Sequence, residues 1–147
     1  DKILTKTMIN NYAKNDLLPP PVKKKYSKEH MLMLVFIYYF KSILSISDIQ
    51  KLLEPIAQKY FPGEGSMDLT ALYEEIMKLE LEQIDPLAKD VTRKFSMAND
   101  SFQNVSEEEK DFLHKFAFIC MLSFDVYVKK QVIENLIDQM SREEKNE

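Results

Sequence analysis

The chain has 147 residues, 45% of them hydrophobic, with 20 Lys and Arg against 24 Asp and Glu for a net charge of −4. That length fits one domain, or one domain with a small appendage, and a core that buries roughly 70% of the unfolded surface. With 2 Gly, 1 Cys and 2 His, the composition speaks against a β-sandwich or barrel, a glycine-rich phosphate cradle, a disulfide framework and a cysteine-based zinc site.

The predicted elements are helical apart from one short extended segment, so the expected fold class is all-α. Thr5 is a candidate N-cap for a short helix to about Lys14, with Ile9, Tyr12 and Ala13 on one face and Lys6, Thr7, Asn10, Asn11 and Lys14 on the other. Leu17-Leu18-Pro19-Pro20-Pro21 stops it, because proline disfavours helical geometry in the residue before it. Val22 to Tyr26 reads as a short extended basic segment, the one strand candidate. Ser27 caps a helix running to about Ile43 that is apolar nearly all round, the expected centre of the core. Ser45 or Ser47 caps a third, striped by Ile49, Leu52, Leu53, Ile56 and Tyr60.

Phe61-Pro62-Gly63-Glu64-Gly65-Ser66 is the clearest break, which divides the chain into a head at 1–61 and a helical body at 62–147. Beyond it, Leu69, Leu72, Tyr73, Ile76 and Leu79 form a helical stripe. Asp85-Pro86 is either the start of a further helix or a kink in one long helix. A polar loop is expected from Met97 to Val105, and Ser106 with Glu109 makes a capping-box pattern opening a long helix to about Met140. The two apolar runs, 31–40 and 116–128, fall short of the roughly 20 residues of a membrane span and read as core helices. No secretory signal is visible, and the single cysteine suits a reducing compartment, so a cytoplasmic location is expected.

The charge is polarised along the chain. Residues 1–61 carry ten Lys against five acidic residues, a net +5, and residues 62–147 carry ten Lys or Arg against nineteen acidic residues, a net −9. A basic part joined to an acidic part is the pattern of a nucleic-acid-binding head with a separate body, and also of a surface that merely segregates.

Residues 5–53 carry the most information as one unit. A Thr5-capped helix ending in Tyr12 is followed by Asp16-Leu17-Leu18-Pro19, a basic stretch, Lys25-Tyr26-Ser27, a helix, and Leu44-Ser45-Ile46-Ser47-Asp48-Ile49-Gln50-Lys51-Leu52-Leu53. This order and spacing resembles the winged helix-turn-helix DNA-binding head of MerR-like regulators. Over essentially the whole chain, the closer likeness is to an uncharacterised bacterial family, domain of unknown function 1836. The MerR-like resemblance implies a recognition helix at about 5–15, a wing reduced to Pro20–Lys24, and a homodimer formed through the long C-terminal helix. Departures from that pattern are Asn10 where the family places Arg, Asn11 where it places Tyr or His, and Asp16 where it places Gly. It also calls for a helix before Thr5, which either lies upstream of this stretch or is lost.

Elementary physics supports the same surface. A helix presenting Lys6, Thr7, Asn10, Asn11 and Lys14 can enter a major groove, where Asn bonds adenine in bidentate fashion. Lys23, Lys24 and Lys25 would neutralise flanking phosphates and Tyr26 could donate to one. The expected function is therefore a DNA-binding transcriptional regulator, with double-stranded DNA and a second copy of the chain as partners. The alternative is a protein-interaction module that keeps the winged-helix shape and binds an acidic protein.

Other residues read as structural. His30 and His114 lie 84 positions apart without ligands at metal spacing, Cys120 reads as an inert core thiol, and no nucleophile–base or paired-carboxylate arrangement stands out. No enzyme activity, cofactor or metal is expected. Asp125, inside an apolar helix, should find a partner such as Lys129 or reach the rim. The final helix carries more large apolar residues than one stripe needs, which suits a tight bundle, a dimer seam or an effector pocket. Phe116, Phe124 and Asp125 are the candidates for a dimer or effector contact.

Overall fold

The computed structural model of the protein describes residues 4–61 and 67–147. Five helices follow in chain order: α1 (Lys6–Lys14), α2 (Lys28–Phe40), α3 (Ile46–Lys59), α4 (Leu69–Asn99) and α5 (Glu107–Lys145). The architecture is all-α with a long C-terminal helix, and no strand occurs among the described residues. In place of the extended segment at 22–26 stands one isolated antiparallel bridge, Val22 to Lys25. The break at 62–66 lies outside the described residues.

Helix starts follow local hydrogen bonding. The Thr5, Ser27 and Ser45 side chains accept from the backbone N–H of Met8, His30 and Asp48, so Ser45 and not Ser47 caps α3. Ser106 accepts from the Glu109 N–H at 3.4 Å while its hydroxyl meets the Glu109 carboxylate at 3.3 Å. Helix α2 ends at Phe40, three residues before the expected Ile43, and α4 runs on to Asn99. Asp85-Pro86 does not split α4, which is one 31-residue helix with Pro86 inside. The carbonyl of Glu82, which loses its N–H partner there, lies in a stretch, 81–89, where every residue is exposed to water.

Contacts divide the chain into two compact units, Asp1–Ile76 with Ile133–Glu147, and Met77–Val132. In the first, Tyr12, Leu17 and Leu18 pack with Met33, Leu34 and Ile37 of α2, Ile49 and Leu53 of α3, Leu69 of α4 and Ile137 of α5. Helix α2 supplies Met33, Leu34 and Ile37 to this core, but Met31, Tyr38 and Tyr39 stay exposed, so it is not covered all round as its apolar sequence suggests.

In the second unit, the later part of α4 and the earlier part of α5 form a helical hairpin. Phe95 meets Phe118 edge to face with centroids 5.5 Å apart. The loop is pinned by His114, whose Nε2 lies 2.7 Å from the Ser101 carbonyl. Only Lys94 and Ala98 are buried in this unit. Lys94 bonds both Asp90 and Asp125, so the partner of Asp125 is the ammonium across the hairpin and not Lys129 on its own helix. Cys120 is exposed, contrary to the core position its apolar neighbours suggest, because α5 turns that face away from α4. No helix among the described residues is long and apolar enough to cross a membrane.

Candidate nucleic-acid interface

The candidate surface starts with α1. Its amphipathic sequence buries Tyr12 and half-buries Met8 and Ile9, which leaves Lys6, Thr7, Asn10, Asn11 and Lys14 exposed. Burial of the Tyr12 phenol pushes its pKa up, since the phenolate would have to leave water. The helix ends in a Schellman arrangement. The Leu17 N–H donates to the Tyr12 carbonyl at 2.9 Å and the Asp16 N–H to that of Ala13 at 3.4 Å. Asp16 takes φ 59° there, the left-handed position usually given to glycine. Leu17 and Leu18 are thereby driven into the core.

The basic segment is a two-residue turn. Val22 and Lys25 exchange both backbone hydrogen bonds, at 3.1 and 3.0 Å. Lys23 and Lys24 between them stand at φ 51° and 63°. Positive φ at both central residues defines a type I′ turn, whose usual residues are Asn and Gly. A lysine costs roughly 1–2 kcal/mol at each such position, so this tip is strained and both lysines stand at its apex. Strain of this kind concentrates at functional sites. Lys23, Lys24 and Lys25 are all exposed.

Tyr26 connects the turn to the helix. Its ring packs half-buried against the core, and its hydroxyl donates to the Asn10 Oδ1 at 3.3 Å. Asn10 keeps its amide N–H groups and one further oxygen lone pair for another ligand. Among the described residues, none of Lys6, Lys14, Lys23, Lys24 or Lys25 has a carboxylate within ion-pair distance. The patch thus joins the exposed Thr7, Asn10 and Asn11 to five cations that have no carboxylate partner among the described residues.

One residue that sequence reasoning set aside holds this arrangement in place. His30 is buried, and its Nε2 lies 3.0 Å from the Pro19 carbonyl and 3.2 Å from that of Pro20. Its Nδ1 accepts from the Ser27 N–H at 3.0 Å, which assigns the ring proton to Nε2. Tyr26 and Phe61 meet the imidazole edge-on, at 5.2 and 4.8 Å. His30 therefore ties the start of α2 to the proline segment that leads into the basic turn. The signal was Ser27-x-x-His30, a capping box with an imidazole where Glu or Gln is usual.

The remaining candidates, Phe116, Phe124 and Asp125, belong to the hairpin unit. Phe116 and Phe124 are 51% and 67% exposed, while Asp125 is half-buried against Lys94. Among the described residues no cluster of His, Cys, Asp and Glu could hold a metal ion.

The protein is thus defined as an all-helical chain with a basic, polar surface on its N-terminal part. A family model described as Domain of unknown function (DUF1836) matches residues 1–76, more than half of the chain, and the chain belongs to that family. The match ends at residue 76, so it does not extend over the whole chain as the sequence likeness suggests. No curated protein and no solved structure matches the chain.

Proposed function

We propose that this protein binds double-stranded DNA as a transcriptional regulator, with α1 in the major groove and the turn Lys23–Lys25 on flanking phosphates. The observation that carries the reading is the Tyr26–Asn10 hydrogen bond at 3.3 Å, which fastens a strained lysine turn to the polar face of a short exposed helix. Asn10 and Asn11 would read base edges, and Lys6, Thr7 and Lys14 would hold the helix in register against the backbone. A Thr5-capped helix, Leu17-Leu18-Pro19, a basic hairpin and a Ser27-capped helix resemble, in that order, a MerR-like head with a minimal wing.

Fluorescence anisotropy on the duplex upstream of its own gene and on a scrambled duplex, across a salt series, tests this. Preference for the promoter, a steep salt dependence, and a loss of about tenfold or more on reversing Lys6, Lys14 and Lys24 are the expected results. Affinity unmoved by those reversals would refute the reading. Absence of binding to either duplex at low salt would turn the search to an acidic protein partner.

A further inference from the structure

We infer that the groove between α1 and α2 is a binding site for a medium-chain fatty acid, whose chain lies along α2 and whose carboxylate meets Lys41. The inference is independent of DNA binding and concerns a different face of α1.

Helix α2 is apolar on more sides than the core uses. Met33 and Ile37 have no solvent exposure, whereas Met31, Tyr38 and Tyr39 are 58%, 41% and 64% exposed. The exposed side chains are not scattered. Met31, Leu34, Val35 and Tyr38 recur at helical spacing and form one stripe. With Tyr39, and with Leu4 just before α1 and Ile9 within it, they line an open cavity of about 480 Å³. Small-molecule sites run from about 300 to 1,000 Å³, with mostly apolar walls and a few polar groups that fix orientation. From Met31 to Tyr38 the helix axis rises about 10 Å, a length that suits a linear chain laid along it.

The end of the stripe identifies the head group. Lys41 follows Tyr38 at the close of α2, and its Nζ stands 5.2 Å from the Tyr38 ring centroid. Lys41 is half-buried, and among the described residues no carboxylate lies within ion-pair distance of it. An ammonium partly withdrawn from water gains most from an anionic partner, which adds charge-assisted hydrogen bonds. The last carbonyls of α2 carry partial negative charge, so this end would repel a carboxylate without Lys41. Apolar walls with a cation at one end match an apolar chain with one acidic head. Residues 1–61 carry a net +5, which favours an anion over a cationic amphiphile.

Isothermal titration calorimetry of the chain with decanoate and with decanol tests this. One decanoate per chain is expected, bound more tightly than decanol. Lys41→Gln should weaken decanoate about tenfold, the worth of one charge-assisted contact, and leave decanol unchanged. Met31→Glu sets a like charge on the exposed apolar wall and should abolish decanoate binding with helical circular dichroism intact. Should Met31→Glu lose its helix, the decanoate–decanol difference at Lys41 decides alone. No decanoate binding, binding of several molecules per chain indifferent to Met31→Glu, or a Lys41→Gln variant that binds decanoate as well as the parent would each overturn the inference.

Discussion

In the first unit eleven residues form a continuous buried cluster, and Met33, Ile37, Ile49 and Leu69 have no solvent exposure at all. In the hairpin unit the buried positions are Ala98 and the stem of Lys94, whose ammonium faces two carboxylates. The first unit is stabilised in the ordinary way, by removing apolar area from water at about 25 cal/mol per Å². The second leaves most of its aromatic residues exposed and centres its inner seam on an ion-pair cluster, an arrangement that fixes register more than it adds stability. One chain thus contains a unit with a continuous apolar core and a unit whose inner seam centres on an ion-pair cluster.

The strongest way to break this contrast is a cavity in the first core. Ile37→Ala should cost about 3 kcal/mol, read from the urea midpoint, because the Ile37 side chain is fully buried and its packed neighbours can only partly collapse into the space. Removing the charge at the centre of the hairpin should cost less. Lys94→Gln leaves Asp90 and Asp125 facing each other and should destabilise by about 2 kcal/mol. A null effect in the second variant would mean that the cluster is only a surface ornament.

Acid should find the hairpin first. The hydrogen bond from Lys94, and then that from Arg93, hold the Asp90 carboxyl below the usual carboxylate range. A depressed folded-state pKa contributes stability that is fully present above the unfolded-state value and is lost as pH falls through the folded one. The stability difference between the protein and Asp90→Asn should therefore be constant near neutrality and shrink only in the acid region below the ordinary carboxylate pKa. Urea melts of both proteins across that range would show it. The smallest effect belongs to the end of α1, where Asp16→Gly relieves a left-handed residue and should stabilise by about 0.5–1 kcal/mol.

What could be read in advance was local. Thr5, Ser27, Ser45 and Ser106 mark helix starts through bonds that span three residues, so the sequence carries them in plain form. The exposed face of α1 follows from its 3.6-residue period. The Lys23–Lys24 turn was not legible, since the usual Asn-Gly signal is absent and only the closed Val22–Lys25 bridge forces positive φ. Asp125 was recognised as needing a partner, but that partner lies 31 positions away, beyond any helical period. The exposure of Cys120 likewise depends on which side of α5 meets α4. His30 was visible at capping-box spacing, whereas its bonds to Pro19 and Pro20 required the fold.

The proposed phosphate-binding role of the fastened basic turn stands or falls on replacing Lys23 and Lys24 with Asn and Gly. These are the residues the turn geometry prefers, so the fold should gain about 1 kcal/mol. The log–log salt slope of duplex binding should fall by about two units as two phosphate contacts are lost. A more stable protein with a shallower salt slope and weaker binding is the expected result. The same gain in stability with an unchanged slope and affinity would contradict the account, because the lysines would then have no part in binding.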